Sequence, residues 1–255
     1  MTINYDFNHK SIIVTGAASG MGRATTLELR KSGAVVYAVD RHYAALKETC
    51  EQSGAVLCEM DISQSDECNA LIERTKNEQG KLDGLVNFAG VIKRSGLLEC
   101  TDEEFDFVMD TNVKACFYLC RAAARQMKLQ GAGSIVNVSS IWSDIAAAGV
   151  FGYCVSKGAV SQITRSAALD LAGTGVRVNE VRPGETNTAM LASERGYMMS
   201  QGEMNEKLRA IAGSIPEKRL ADPSEIAAAA IFLLSEQSSY MQGASITVDG
   251  GYTIR

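Results

Sequence analysis

Ser11-Ile12-Ile13-Val14-Thr15-Gly16-Ala17-Ala18-Ser19-Gly20-Met21-Gly22 is the stretch that decides the fold. Its first four residues form a short, mostly apolar and β-branched run, which reads as a buried strand. Three glycines follow at Gly-x3-Gly-x-Gly spacing: Gly16, Gly20 and Gly22. A helical pattern then runs from Arg23 to Lys31 and stops at Gly33. Strand, glycine turn and helix in this order make a phosphate site. The glycines let the backbone approach a pyrophosphate, and the helix N-terminus offers N–H groups and a partial positive charge. The spacing differs from the commoner Gly-x-Gly-x-x-Gly. A plain turn beneath a tightly packed helix is the other reading.

A second strand spans 34–39 and ends in Asp40, 24 residues beyond Gly16. That is close to the ~20-residue offset of an acid that binds an adenosine ribose. A carboxylate accepts hydrogen bonds from both ribose hydroxyls and repels a 2′-phosphate, so Asp40 argues for NAD over NADP. A helix N-cap is the alternative reading of Asp40. Arg41 follows at once and could stack on adenine or meet a phosphate.

Further apolar runs at 55–60, 84–87, 133–139, 176–181 and 244–248 read as strands. Helical patterns fall near 21–32, 43–53, 64–79, 102–130, 153–173 and 223–235. This alternation predicts βαβ units. The fold expected is α/β: a single-domain, Rossmann-like, doubly wound parallel sheet over 1–255, with helices on both faces. Residues 186–215 break the rhythm, with four methionines and no strand signal. Methionine adapts to irregular apolar surfaces; a surface helical hairpin is the plainer reading.

The chain has 255 residues, 46% hydrophobic and 22% charged, with a formal net charge of −5. No dense basic run marks a nucleic-acid surface. No apolar stretch is long enough to span a bilayer, and 1–10 lack the apolar core of a signal peptide. Seven cysteines are scattered at 50, 58, 68, 100, 116, 120 and 154. An odd, dispersed count suggests free thiols in a reducing cytoplasm. His9 and His42 are the only histidines, so no metal site is expected.

Tyr153 and Lys157 lie four residues apart, thirteen residues after Ser140. On a helix, residues i and i+4 share a face. A cation beside a phenol favours the phenolate and lowers its pKa. A tyrosine tuned this way can take a proton from an alcohol or give one to an alkoxide. Ser140 could hold the substrate oxygen, with Ser139 as its structural alternative.

Seven segments in register resemble the short-chain dehydrogenase/reductase family across essentially the whole chain. They are Thr15-Gly16-x3-Gly20-x-Gly22, Asp61-Ile62, Asn87-Phe88-Ala89-Gly90, Asn112, Ser140, Tyr153-x3-Lys157 and Pro183-Gly184. The resemblance implies NAD-dependent interconversion of a secondary alcohol and a ketone. It makes Asn112, Ser140, Tyr153 and Lys157 catalytic, with Asn112 holding a water that links Lys157 to solvent. It assigns NAD to Gly16, Ser19, Gly20, Met21, Gly22, Asp40, Arg41, Asp61, Ile62, Asn87, Ala89, Gly90, Tyr153, Lys157, Pro183, Gly184, Thr186 and Thr188. It makes 186–215 a flap over the substrate and implies a homotetramer, or a homodimer, through the helices carrying Asn112 and Tyr153. Phe88 stands where the family usually has a second Asn, which removes a hydrogen bond that steadies the sheet.

The substrate expected is a small, polar or anionic sugar, sugar acid or polyol. Lys93 and Arg94 follow Gly90 closely and could hold an anion. Trp142, two residues after Ser140, could stack on a sugar ring, and Glu185 could face the substrate. A solvated basic turn and a buried Trp are the plainer readings. Two rival functions are a 3-oxoacyl-[acyl-carrier-protein] reductase and a non-catalytic NAD-binding sensor. Asp40 and the negative charge speak against the first, and the intact Tyr153–Lys157 pair speaks against the second.

Overall fold

The structure is a computed structural model and describes residues 5–192 and 201–254. Ile12 and Val14 belong to one apolar core and Ile13 to another, because successive side chains of a strand leave opposite faces. That strand, β1 (Ser11–Thr15), is buried at all five positions. The other strands are β2 (Val35–Asp40), β3 (Val56–Glu59), β4 (Gly84–Asn87), β5 (Gly133–Val138), β6 (Val176–Pro183) and β7 (Ser245–Val248). They form one parallel sheet in the order β3-β2-β1-β4-β5-β6-β7.

The two cores lie on opposite faces of this sheet. On one, Ile12, Val36, Val86 and Val136 meet α1 (Gly20–Lys31), α2 (Tyr43–Ser53) and α9 (Pro223–Leu234), through Leu29, Leu46 and Ile226. On the other, Ile13, Leu85, Ile135 and Val178 meet α3 (Ser65–Gln79), α5 (Ala115–Gln130) and α6 (Phe151–Asp170), through Leu71, Leu119 and Val160. Each such side chain, fully buried, contributes about 1.5–3 kcal/mol. The expected doubly wound architecture is therefore the one found.

Two expectations need correction. The pattern at 102–130 is not one uniform helix. It comprises α4 (Asp102–Met109), a π turn (Asp110–Lys114) and α5. Phe88 does not loosen the sheet; it is buried and packs in the first core. The hydrogen bonding it lacks is supplied beside it, where Asn87 Nδ2 donates to Asn137 Oδ1 at 2.9 Å.

The interval 186–215 holds α7 (Ala189–Ala192) and α8 (Gln201–Ser214); residues 193–200 of the expected flap lie outside the described residues. The ends of α9 are closed explicitly. Asp222 and Glu225 form a capping box at its start, and the Arg177 guanidinium donates to the carbonyls of Leu233, Leu234 and Ser235 at its end. All seven cysteines carry free thiols. Among the described residues, no helix is long and apolar enough to cross a membrane.

Candidate active site

The sheet order reverses direction between β1 and β4, which opens a crevice at the carboxyl ends of the strands. Two adjoining cavities occupy that end, each ≈ 380 Å³, within the usual range for small-molecule sites. The first is lined by Gly16, Ser19, Gly20, Met21, Gly22, Asp40, Arg41, Asp61, Ile62, Ala89 and Gly90. The second is lined by Arg94, Ser140, Trp142, Tyr153, Lys157, Pro183, Gly184, Glu185 and Thr186. Thr188 borders both.

The first cavity suits a dinucleotide by its own geometry. Ser19 precedes α1 without a side-chain cap, and the first turn holds no acid. The N–H groups of that turn are thus not taken by a capping side chain or a first-turn acid, and the turn lines the cavity, which suits an anion. Gly22 sits where a Cβ would lie 2.2 Å from the Gly16 carbonyl oxygen, so only glycine lets α1 approach β1 this closely.

Asp40 is not a helix N-cap: His42 takes that position at α2. Its Oδ2 accepts from Ala18 N at 3.1 Å and its Oδ1 from His42 N at 3.0 Å. The carboxylate therefore ties the glycine loop to the end of β2. Asp61 is exposed and turns its Oδ1 to Ser63 N. Arg41 and Lys93 both approach the Phe107 ring, at 5.9 and 5.7 Å from its centroid. Lys93 thus sits by the first cavity's rim and is not among the residues lining the second, where a substrate-binding role would put it.

Asn87 does not line the first cavity. Its side chain turns into a ≈ 10 Å³ cavity shared with Asn112, Cys116 and Lys157. Asn87 Oδ1 is buried there without a protein partner. The π turn presents Asn112 to the loop after β4. Asn112 Oδ1 accepts from Val91 N at 2.8 Å, and its Nδ2 donates to Val91 O and Ser156 Oγ, both at 2.9 Å. π turns recur at functional sites because they re-aim a side chain within a helix.

Tyr153 and Lys157 share the buried face of α6. Lys157 Nζ donates to Val138 O at 2.8 Å and lies 5.7 Å from the Tyr153 ring centroid. Burial lowers the Lys157 pKa to about 8, against the raising influence of Cys116 and Glu180. Burial raises the Tyr153 phenol to about 12, while its hydrogen bond with Ser140 and the charge of Arg94 pull it down. The phenol is therefore raised, not lowered as expected of a tyrosine beside Lys157: the dry setting of the oxygen is the largest effect, and the groups that pull it down are Ser140 and Arg94. Ser140 Oγ also accepts from Trp142 N at 3.2 Å, which fixes its direction. Ser139 instead turns to Val181 O at 3.5 Å and is structural.

The second cavity has a charged and an aromatic wall. Arg94 donates to the carbonyls of Met190 and Leu191, at 3.4 and 3.3 Å, and so holds α7 over the site. Trp142 meets Tyr252 edge-to-face, 5.5 Å between centroids. Tyr252 and Lys207 were missed by sequence reasoning, as were Phe107 and Thr111 in the first cavity. Phe107 and Thr111 were findable, because Asn112 marks their helix as site-facing and they precede it by five and one residues. Tyr252 and Lys207 carry no local signal.

Residues 16–253 match a family model described as Enoyl-(Acyl carrier protein) reductase. The chain is 38% identical over 250 residues to 2-(R)-hydroxypropyl-CoM dehydrogenase of Xanthobacter autotrophicus, covering 94% of this chain and 97% of that one. It is 37% identical over 245 residues to galactitol 2-dehydrogenase (L-tagatose-forming) of Cereibacter sphaeroides, covering 94% of each. Ligand-free aldohexose dehydrogenase of Thermoplasma acidophilum superposes with a TM-score of 0.90 at 29% identity, covering 98% of this chain and 96% of that one. The chain belongs to the short-chain dehydrogenase/reductase family and is an oxidoreductase of that family.

Proposed function

We propose that this oxidoreductase uses NAD to interconvert a secondary alcohol and a ketone, on a polar or anionic sugar, sugar acid or polyol. The observation that carries the reading is the meeting of Ser140, Tyr153 and Lys157 in a cavity that adjoins a cleft edged by Asp40. NAD supplies the hydride acceptor and, in its oxidised form, a positive charge. The first turn of α1, with Gly16, Ser19, Gly20, Met21 and Gly22, holds its pyrophosphate. Asp40 and Arg41 meet the adenosine ribose, and Asp61, Ile62, Ala89 and Gly90 border the adenine and the nicotinamide arm. Pro183, Gly184, Thr186 and Thr188 hold the carboxamide end.

Ser140 Oγ directs the substrate oxygen toward the phenol and stabilises the charge that develops on it. Tyr153 takes the hydroxyl proton in oxidation and returns it in reduction. A phenol that burial holds near 12 with Lys157 already beside it needs further positive charge to ionise, and the oxidised coenzyme would bring it. Lys157 also reaches the ribose hydroxyls of the coenzyme. The ≈ 10 Å³ cavity at Asn87, Asn112 and Lys157 is about the size one water needs, which suits a relay to solvent.

Asp40→Ala is expected to narrow the preference for NAD over NADP about tenfold, the effect of removing one repulsion of about 1.4 kcal/mol. The ratio of kcat/KM for the two coenzymes checks this; an unchanged ratio removes the assignment. For the substrate, NADH formation is followed with neutral and anionic sugars, polyols and sugar acids, using wild type beside Arg94→Ala. Activity that favours acids, and falls at least about tenfold more for acids than for neutral alcohols in the variant, supports anion recognition. Equal losses on both would make Arg94 only the strut of α7.

A 3-oxoacyl-[acyl-carrier-protein] reductase, one of which from Thermotoga maritima is 34% identical over 251 residues, is the rival reading. It would need coenzyme with a 2′-phosphate beside Asp40, and the Trp142–Tyr252 wall favours a small ring over an acyl chain. The apolar groove lined by Phe117, Ala124 and Ile163 on α5 and α6, with Phe117 exposed, supports a homotetramer or homodimer, in the cytoplasm.

A further inference from the structure

Glu180 is fully buried on β6, the strand next to the sheet edge, where a charge is costly without partners. Its partners are drawn from three elements. Ser161 Oγ of α6 donates to Oε2 at 2.8 Å, and Ser245 Oγ of β7 donates to Oε1 at 2.6 Å. Arg182, two residues along β6, pairs with Oε1 at 2.7 Å. The same guanidinium also bonds Asp144, at the end of the short 141–143 helix that Ser140 caps. One connected network therefore joins the helix of Tyr153 and Lys157, the strand before Pro183-Gly184, and the loop of Ser140 and Trp142.

We infer that Glu180 and Arg182 are positioning residues for the reaction: Glu180 sets its negative charge against Lys157 from below, and Arg182 anchors the Ser140–Trp142 loop through Asp144. The inference rests on the reading of Ser140, Tyr153 and Lys157 given above. Neither residue lines the cavity or touches the reacting atoms, so both act through others.

The titratable groups that face Lys157 are Tyr153 on its own helix, Cys116 on α5 and Glu180 on β6. Glu180 itself faces Arg182 on its strand and, through it, Asp144 on the loop. Burial favours the neutral amine of Lys157, and Cys116 and Glu180 oppose it. The Cys116 thiol is held well above its ordinary value by its bond with Cys120 and by burial, so it is neutral at working pH. Glu180 holds Ser161, one turn beyond Lys157 on the buried face of α6, and its carboxylate raises the Lys157 pKa from there.

The test measures NADH affinity by fluorescence across pH, and kcat/KM across pH on the best substrate of the alcohol panel. Proteins compared are wild type, Glu180→Gln, Glu180→Asp and Asp144→Asn. Glu180→Gln keeps the size and one acceptor oxygen but not the charge; its amide nitrogen would donate to one serine hydroxyl in place of accepting from it. Its NADH-affinity midpoint is expected to fall by about half a pH unit or more, because Lys157 loses its proton earlier. Glu180→Asp, which keeps the charge, should hold the midpoint near wild type. Asp144→Asn alters only the exposed end of the network. It should leave the midpoint in place and lower kcat/KM about threefold or more by loosening Ser140.

A midpoint unmoved in Glu180→Gln, with activity reduced equally at every pH, overturns the electrostatic role and leaves a structural one. Unchanged kcat/KM in Asp144→Asn overturns the anchoring role, and this variant keeps the test open if Glu180→Gln fails to fold. Should wild type turn over no alcohol while the NADH midpoint still moves, the substrate reading fails and the network stands.

Discussion

Tyr153→Phe is expected to lower kcat by about 10²–10⁴-fold, the usual worth of one positioned acid–base group, with NADH affinity changed less than about threefold. The phenol oxygen faces the substrate cavity and hydrogen-bonds Ser140. Removing it alone leaves the ring, α6 and the Lys157–Val138 bond in place. Ser140 keeps its bond from Trp142 N, so the neighbouring group is not orphaned. Structural damage is therefore slight and the loss falls on proton transfer. Steady-state turnover beside NADH fluorescence titration separates the two. Retained turnover would remove Tyr153 from the chemistry, and lost coenzyme binding would make it a structural residue.

Gly22→Ala should produce the largest loss of coenzyme binding from a single methyl group. That methyl would lie 2.2 Å from the Gly16 carbonyl oxygen and 2.7 Å from its carbon. Both are backbone atoms of the strand-to-helix turn, so no rotamer change relieves the overlap. Either α1 lifts from β1 or the loop reshapes, and each takes the helix N-terminus off its aim. Overpacking of this kind costs about 1–3 kcal/mol, a fall in Tm of roughly 2–12 °C for a chain of this size. NADH affinity should drop at least about tenfold. Gly213→Ala is the control: nothing lies within 4 Å of its added methyl, and alanine favours a helix over glycine. Equal behaviour of the two variants would refute the packing argument.

Several strands were legible because burial on both faces makes them short apolar runs, as in Ile12-Ile13-Val14. The glycine turn and the 153–157 pair were legible because their chemistry fixes residue type and spacing together. The break at Asp110–Lys114 was not, since its cause is tertiary: Asn112 pairs with both backbone groups of Val91, 21 residues away. Lys93 and Arg94 were read alike because they are adjacent. Their separation, one toward Phe107 and the other toward Met190 and Leu191, depends on how the loop after β4 turns. Tyr252 enters the cavity from the far end of the chain. Its turn is organised by Asp249, which accepts from Gly251 N, Thr253 N and Thr253 Oγ1. Nothing near Trp142 in sequence announces that partner.

Asp40 gives coenzyme choice a structural cost. Both of its oxygens already hold backbone amides, one of them inside the glycine loop. A redesign for phosphorylated coenzyme that simply deletes the carboxylate also unfastens Ala18, two residues from Gly16 and Gly20. On the NAD reading proposed above, selectivity and loop shape are inherited together. A productive swap would need asparagine or serine at this position, to keep an acceptor for Ala18, with the positive charge added elsewhere on the rim.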